Sequence, residues 1–451
     1  MGILSALDTS IAGTVSRPGD STWDSDRAAW ALAVPQEPLA VVSLADASDA
    51  VTLVAQAAAE GVPLTMQPRG HGAQPGTTDG AVLVRTSALQ DITIDPARQV
   101  ARVGAGVRWG DLNARLDGSG LIGLAGTNPS VSVVGYLLGG GLSWFGRRYG
   151  VAATTVRAVE LVNADGEAVR VTADNDLELF WALRGGGGDF GLVTAVELGL
   201  FPHDGFVGGQ VVFPIEAAPA VLAAYIDLTA AAPPELTAFA GMLHFPALPF
   251  IPEPVRGRSV VGVAVTHLGP EDHLTSMLAP VRAAGPVIQD TVQPRGISTL
   301  GQVADEPTDP SPGLDQGMLL TRFDTDTASR LLAEAGDRTT TPLVSVAVRH
   351  LGGALTTGTP DGGVASRVDE PFLLGAVGNA MDPATIPAIR GAFASLQTGL
   401  GDAAVDRAPY NFLGGRGIAA AYPPDVLSRL QSLKRERDPK NVFRSNRPTL
   451  T

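Results

Sequence analysis

The chain of 451 residues is too long for one hydrophobic core, so at least two packed units are expected. Its net charge of −14 repels polyanions and no basic run offsets it, which argues against nucleic acid as a partner. The absence of cysteine excludes disulfides, thiolate metal sites and cysteine nucleophiles. No stretch approaches the roughly 20 apolar residues that cross a bilayer, and residues 1–15 lack a secretory signal pattern, so we expect a cytoplasmic protein without a membrane partner.

Residues 39–69 predict a strand, an Ala-rich helix opened by Asp46 and Ser48, and a second strand after Gly61. Residues 81–104 predict short strands, with a hairpin turn at residues 95–96. Residues 156–173 predict another hairpin, followed by an amphipathic helix in NDLELFWALRG. These elements form one α+β unit that ends near residue 202.

Beyond residue 202, alternating apolar and polar strands predict an antiparallel sheet with one covered face, accompanied by helices. Residues 305–313, DEPTDPSPG, form a loop that either borders a pocket or only connects two elements. Near the C-terminus, Leu427, Leu430 and Leu433 lie on one face of a predicted helix. The six histidines lack metal-ligand spacing and no GxSxG occurs, so we expect neither a metal site nor a serine hydrolase.

Four glycine clusters fall at residues 70–72, 104–106, 139–141 and 185–188. Each alone is more often a tight turn, but together they favour a large phosphorylated ligand, because bare backbone N–H groups can approach a pyrophosphate. The GxGxxG at residues 186–191 follows a helix and precedes a strand, the reverse of a nicotinamide-binding loop. His71, between two glycines after a strand, is either a loop histidine without chemistry or a reactive group.

Seven motifs occur in an order that is similar to one enzyme family. They are PRGHGA (68–73), VGAGVRWGDL (103–112), NPSVSVVGYLLGGGLSW (128–144), RRYGV (147–151), ELVNADGE (160–167), LFWALRGGGGDFGLVT (179–194) and LKRERDPKNVFR (433–444). The chain resembles the berberine bridge enzyme-like branch of the vanillyl-alcohol oxidase superfamily, especially its bacterial natural-product members. The resemblance implies an FAD-binding domain of the PCMH/VAO type in residues 1–204 and 408–451. An antiparallel-sheet substrate domain, covered by helices on one face, is implied for residues 205–407.

The resemblance also implies FAD bound covalently through His71. Many relatives use a second bond, through a cysteine where this chain has Asn128, so we expect attachment through one histidine only. The further cofactor-binding residues that it implies are Arg69, Gly70, Gly72, Gly106, Pro129, Ser130, Val133, Gly135, Gly139, Gly140, Gly141, Tyr149, Gly188, Gly191, Val193 and Asn411.

Two tyrosines are implied as catalytic residues that face the flavin, because a tyrosinate can take a proton while hydride leaves the adjacent carbon. Tyr149 matches the R-x-Y-G motif. Tyr410 departs from the Y-x-N motif: either a one-residue deletion keeps Tyr410 in place, or Pro409 occupies the catalytic position and the base is missing. The alternative to a catalytic role for Tyr410 is a hydrogen-bonded core tyrosine. Arg349 and His350 are adjacent strand residues, so only one faces the pocket, and we expect His350 to contact substrate.

The function expected from this resemblance is an FAD-linked oxidase. It would move a hydride from a hydroxyl-bearing sugar, glycoside or natural-product intermediate to the flavin, with molecular oxygen as acceptor. The alternative is a cyclase or isomerase that retains the flavin without net redox change. A homodimer is compatible with the sequence.

Overall fold

The computed structural model describes residues 10–247, 249, 251, 253, 255–359 and 361–450. Its first sheet has the order β1-β2-β4-β3 and contains β1 (Thr14–Ser16), β2 (Ala40–Ser43), β3 (Leu64–Met66) and β4 (Val82–Arg85). Both β2 and β3 pair parallel with β4, and helix α2 (Ala47–Glu60) makes the crossover; α1 (Trp23–Arg27) precedes β2. Asp46 caps α2 by accepting from two backbone N–H groups, and Gly61 ends it with φ of 68°.

The second sheet has the order β5-β6-β10-β8-β9, with all pairs antiparallel. Its strands are β5 (Ile92–Asp95), β6 (Val100–Gly104), β8 (Val156–Val162), β9 (Ala168–Val171) and β10 (Leu192–Gly199). A short pair joins β7 (Leu121–Ile122) to β11 (Phe201–Pro202). The accompanying helices are α3 (Trp109–Leu116), α4 (Val133–Leu138), α5 (Gly146–Tyr149) and α6 (Leu177–Leu183). The glycine run at 185–188 therefore follows a helix and precedes a strand, as the sequence predicts.

A third, antiparallel sheet contains the remaining nine strands, confirming the predicted α+β fold with an antiparallel sheet. The strands are β12 (Phe206–Pro214), β13 (Leu236–His244), β14 (Ser259–His267), β15 (Gln289–Asp290), β16 (Gln293–Arg295), β17 (Gly313–Leu320), β18 (Leu343–His350), β19 (Phe372–Asn379) and β20 (Ala404–Val405). The helices of this part are α7 (Ala218–Ala230), α8 (Glu271–Arg282), α9 (Thr325–Ala335), α10 (Ala354–Thr357) and α11 (Ile386–Leu400). The predicted domain limits, after residue 204 and after residue 407, lie beside the first and last strands of this sheet.

The two faces of the third sheet have different neighbours. Val346 and Val348 of β18 join the apolar core formed with α7, α8, α9 and α11. On the opposite face, Phe239 of β13 packs with the core of the second sheet, and its ring stacks on Trp144 at 4.0 Å between centroids. The face without helices is therefore turned towards the N-terminal part of the chain, and we call it the inner face.

The C-terminal segment returns to the N-terminal sheets through helix α12 (Pro424–Arg437) and the residues after it. Phe443 forms a parallel bridge to Leu64 of β3, and Leu64 N–H donates to Val442 O over 2.7 Å. The fully buried Lys434 donates from Nζ to the carboxylate of Asp438 and to the backbone oxygens of Asp189 and Phe443. Among the residues described, no helix is both long and apolar enough to cross a membrane.

Candidate active site

His71 lies in the loop that follows β3, with its ring held from two sides. It stacks on Trp30 with 4.3 Å between centroids, and its Nε2 lies 3.1 Å from Ser130 Oγ. Asn128 fixes the hydrogen-bond direction: its Nδ2 donates to Pro307 O, so its Oδ1 accepts the Ser130 hydroxyl hydrogen over 2.7 Å. The Ser130 oxygen can then only accept from His71 Nε2–H, which leaves a lone pair on Nδ1.

Burial, followed by the nearby positive charge of Arg69, lowers the pKa of His71 from 6.5 to about 4. The imidazole is therefore neutral at neutral pH. A neutral ring with a free nitrogen and a fixed orientation has the properties needed for bond formation to an electrophilic carbon.

Two arginines give this end of the site a positive potential. The side chain of Arg108 forms a bidentate pair with Asp111, at 2.7 and 2.8 Å. Arg69 is exposed and its guanidinium makes no hydrogen bond to any residue that the structure describes. Burial and the charge of Arg108 lower the pKa of Arg69, whereas Asp111 raises it. Because Asp111 is paired with Arg108, the charge of Arg69 is not neutralised by a hydrogen-bonded acid among the described residues. Such a surface suits a pyrophosphate.

Most of the glycines that were predicted to bind the ligand also allow segments of the chain to approach one another. A Cβ added at Gly139 would lie 1.8 Å from Asn411 Oδ1, and one at Gly187 would lie 2.5 Å from the Tyr410 hydroxyl. Equivalent obstructions come from other parts of the chain at Gly70, Gly106, Gly140, Gly141 and Gly191. Three predicted positions leave room beside the backbone, since Gly135 is exposed and added Cβ atoms at Gly72 and Gly188 meet nothing nearer than 3.5 Å.

Three further predicted contacts are placed less favourably for a cofactor. Val133 and Val193 are fully buried in the apolar core, and Pro129 packs on Gly110 and Gly301. These three residues therefore contribute to the packing around the site, and their contact with the cofactor stays a prediction.

Both predicted catalytic tyrosines pack against other parts of the protein. The ring of Tyr149 stacks on Phe201 with 4.0 Å between centroids, and burial raises the pKa of its hydroxyl. Tyr410 is buried against Gly139 and Gly187. Burial raises the pKa of Tyr410, although Arg447 opposes this. Tyr410 is therefore packed inside the protein, and its catalytic role stays a prediction.

The expectation that His350 faces the pocket is corrected by the fold. His350 stacks on Phe372 in the helix-covered core, and its Nε2 lies 3.0 Å from Arg147 Nη1. Burial and Arg147 lower its pKa to about 3. Because side chains alternate along β18, Arg349 points to the inner face instead.

Arg349 is surrounded by residues that sequence reasoning missed. Its guanidinium carbon lies 4.7 Å from the Phe239 ring centroid and 5.0 Å from that of Phe412. Glu306 Oε1 lies 3.8 Å from Arg349 Nη2, and the buried Tyr136 hydroxyl interacts with the same charge. Tyr136 lies in the motif of residues 128–144, but no role was predicted for it from the sequence.

The loop 305–313 closes one side of this region. Pro307 O accepts from Asn128, and Thr308 O accepts from Trp30 Nε1 over 3.2 Å. Leu32 N–H donates to Ser311 O over 2.9 Å. Through these contacts, and with Glu306 beside Arg349, the loop lies between the His71 end and Arg349.

Asp315 of β17 is a second charged group on the inner face. Asp315 is exposed, yet enough protein atoms surround its carboxyl group to raise the pKa of that group, while Arg447 opposes the shift. A carboxylate with a raised pKa is suited to accept a proton. Nothing in the local sequence distinguishes Asp315 from a surface residue.

Comparisons with known proteins identify the domain and the fold of this chain. Residues 38–172 match the family model described as an FAD binding domain. The chain is 27% identical to (R)-6-hydroxynicotine oxidase of Paenarthrobacter nicotinovorans, over 98% of this chain and 97% of that protein. The berberine bridge enzyme-like protein 1 of Physcomitrella patens superposes with a TM-score of 0.84 at 20% identity, covering 100% of this chain and 99% of that one.

A further solved structure, the xylooligosaccharide oxidase of Myceliophthora thermophila in complex with xylobiose, gives a TM-score of 0.81 at 19% identity, covering 99% of each chain. These two structural likenesses establish the fold, whereas the domain match and the full-length relative concern the cofactor and the class of reaction. The chain therefore contains an FAD-binding domain, has the fold of the berberine bridge enzyme-like oxidases, and is an FAD-linked oxidoreductase.

Proposed function

We propose that this protein is an FAD-dependent oxidase whose flavin is bonded covalently to His71 alone. The observation that carries the proposal is the state of the His71 ring: neutral, fixed by Ser130 and Trp30, and with its lone pair on Nδ1. We infer that Nδ1 is the atom that forms the bond. A second bond is not available, because Asn128 stands at the cysteine position and the chain has no cysteine.

Bound FAD would supply the two-electron chemistry, taking a hydride from the substrate and passing the electrons to molecular oxygen. The chain's residues hold and orient the cofactor. Arg69 and Arg108 bind the anionic part, and the Trp30 and Ser130 contacts prevent His71 from turning away. Asp315 is the proposed proton acceptor for a substrate hydroxyl or amine on the inner face.

The proposed substrate is a small organic molecule, such as a hydroxyl-bearing sugar, a glycoside or an intermediate of a bacterial natural-product pathway. A hydroxynicotine oxidase among the relatives and an oligosaccharide oxidase among the structural neighbours support a compact substrate that is oxidised beside the flavin. The position of Arg349 and Asp315 on one sheet face provides polar groups for its recognition.

Intact mass and absorbance of the purified protein test the attachment. We expect a yellow protein heavier than the polypeptide by one FAD, with flavin fluorescence that remains on the denatured chain. His71→Ala should abolish this adduct. The matched control, His273→Ala, changes an exposed helix residue and should retain it. A wild-type chain without covalent flavin would refute the proposal.

Anaerobic mixing with candidate substrates tests the reaction. Bleaching of the visible flavin band, followed by recovery with formation of hydrogen peroxide when oxygen is admitted, supports the oxidase. Product formation without bleaching would favour the cyclase or isomerase instead. Asp315→Asn should slow bleaching while the covalent flavin remains, whereas Asp227→Asn, on the exposed side of α7, should not. An unchanged rate in Asp315→Asn would remove Asp315 from the mechanism.

A further inference from the structure

Arg349 presents an unusual set of contacts for a largely buried arginine. Its side chain is 16% exposed, yet the guanidinium makes no hydrogen bond within the part of the chain that the structure describes, and its Nε is a buried donor without a partner. The carboxylate of Glu306, at 3.8 Å, is too distant for a hydrogen bond. A buried guanidinium with unused donors costs free energy unless a ligand or water satisfies them.

The aromatic residues around Arg349 restrict where such a ligand can bind. The ring centroids of Phe239 and Phe412 lie 4.7 and 5.0 Å from the guanidinium carbon, and Trp144 packs on Phe239 in turn. Rings at this distance stabilise the cation but accept no strong hydrogen bond. The N–H groups at the rim of the guanidinium plane therefore remain available, in the fork arrangement that matches the two oxygens of a carboxylate.

A second unused donor lies close to the first. The Tyr136 side chain is 9% exposed and its buried hydroxyl has no partner among the described residues, although it interacts electrostatically with Arg349. Burial raises the pKa of Tyr136, so the hydroxyl keeps its hydrogen at neutral pH and can donate it. Arg349 on β18 and Tyr136 on α4 thus provide donors from two different elements.

The sheet beside Arg349 has space for the rest of a ligand. Five small residues lie in one register row across the inner face, in the order Gly262, Gly241, Ala347, Gly375 and Gly317. An added Cβ at Gly375 would meet no atom within 4 Å, whereas Phe412 covers Gly317. Gly375 is a diagonal neighbour of Arg349, about 7–8 Å away on the same face.

We propose that Arg349 and Tyr136 bind a carboxylate group of the substrate, and that the open position beside Gly375 holds the body of that molecule. This inference rests on the proposed oxidase function and specifies its substrate class as organic acids. Glu306 acts as an internal competitor, because its carboxylate approaches Arg349 without reaching hydrogen-bond distance.

Calorimetric titration of the purified holoenzyme with benzoate, benzamide and benzylamine tests the proposal without turnover. We expect benzoate to bind roughly 10- to 100-fold more tightly than the neutral amide, the range for hydrogen bonds to a charged group, and the amine to bind most weakly. Arg349→Gln should abolish this preference, and Tyr136→Phe should reduce it. Arg390→Gln, which changes an exposed arginine of α11, should leave it intact.

Two further variants separate recognition from a structural role. Glu306→Gln should tighten benzoate binding, since the competing charge is removed; a purely structural Arg349–Glu306 pair predicts no gain. Gly375→Leu should weaken 2-naphthoate more than benzoate, because the added side chain occupies the open space. Failure of either shift would contradict the part of the proposal that it tests, even if Arg349→Gln does not fold.

The outcomes also distinguish this proposal from the proposed function. A covalent flavin combined with equal affinity for benzoate and benzamide would overturn the carboxylate site and leave the oxidase standing. Loss of FAD from Arg349→Gln, measured by intact mass, would overturn the site as well, because Arg349 would then serve the cofactor. A wild-type protein without covalent flavin would refute the cofactor proposal, while the titration still decides the site.

Discussion

Replacing Lys434 should release the C-terminal segment from the FAD-binding part. Lys434 is one of the chain's two lysines, and Nζ donates to Asp189 O at 2.8 Å, Asp438 Oδ2 at 2.7 Å and Phe443 O at 2.6 Å. Lys434 and Asp438 are each 1% exposed in their side chains. Breaking a buried pair by removing one partner costs about 3–5 kcal/mol, because the remaining charge is left unpaired.

The expected cost of Lys434→Met can be converted to a melting temperature. An unfolding entropy of about 2.1 cal/mol/K per residue gives roughly 0.95 kcal/mol/K for 451 residues, so the variant should melt roughly 3–5 °C lower. Circular dichroism at 222 nm measures this directly. Asp438 still accepts from the N–H groups of Val442 and Phe443, so the lower end of the range is expected.

Two variants serve as controls for this prediction. Lys440→Met changes the other, exposed lysine and should leave the melting temperature unchanged. Adding Asp438→Asn to Lys434→Met removes the unpaired charge and should recover part of the loss. If Lys434→Met melts with the wild type, or if Lys440→Met loses as much, the buried pair does not hold the segment and the reasoning is wrong.

Three other changes test the site and its support. Gly139→Ala should lower the melting temperature, because its Cβ would lie 1.8 Å from Asn411 Oδ1, whereas Gly375→Ala, with nothing within 4 Å, should not. Tyr410→Phe should change the rate of flavin reduction by no more than a few-fold, since a buried tyrosine with a raised pKa is a poor base. The variant should also lose about 1 kcal/mol of stability. A large fall in the rate of flavin reduction would support a catalytic role for Tyr410. The pKa of His350 is about 3 in the folded protein rather than 6.5, so only the unfolded chain takes up a proton at this residue as the pH falls from 6.5 towards 3. His350→Gln should therefore reduce the loss of stability over that pH interval, measured by urea unfolding. An unchanged pH dependence of stability would contradict the lowered pKa.

The order of motifs was sufficient to predict the α+β fold, the antiparallel sheet and the FAD-linked chemistry. Two local patterns were predicted from neighbouring residues alone, without knowledge of tertiary contacts. They are the strand that ends in the Gly-His-Gly turn, and the glycine run that follows a helix and precedes a strand. The sequence also showed Asn128 at the position where many relatives have a cysteine. It did not show that Asn128 is connected to His71 by hydrogen bonds through Ser130, because those contacts join residues far apart in the sequence.

What only the tertiary structure decided was which side of each element faces the cleft. Alternation along β18 required Arg349 and His350 to point in opposite directions, but the helices packed on one face determined which of them entered the core. The glycines were read as a ligand cradle, yet at Gly139 the free volume is taken by Asn411, some 270 residues later. The sequence by itself determines local conformation and the amphipathic pattern. Long-range packing decides which distant residue fills the space beside a glycine, and whether a buried donor such as Arg349 Nε finds an acceptor.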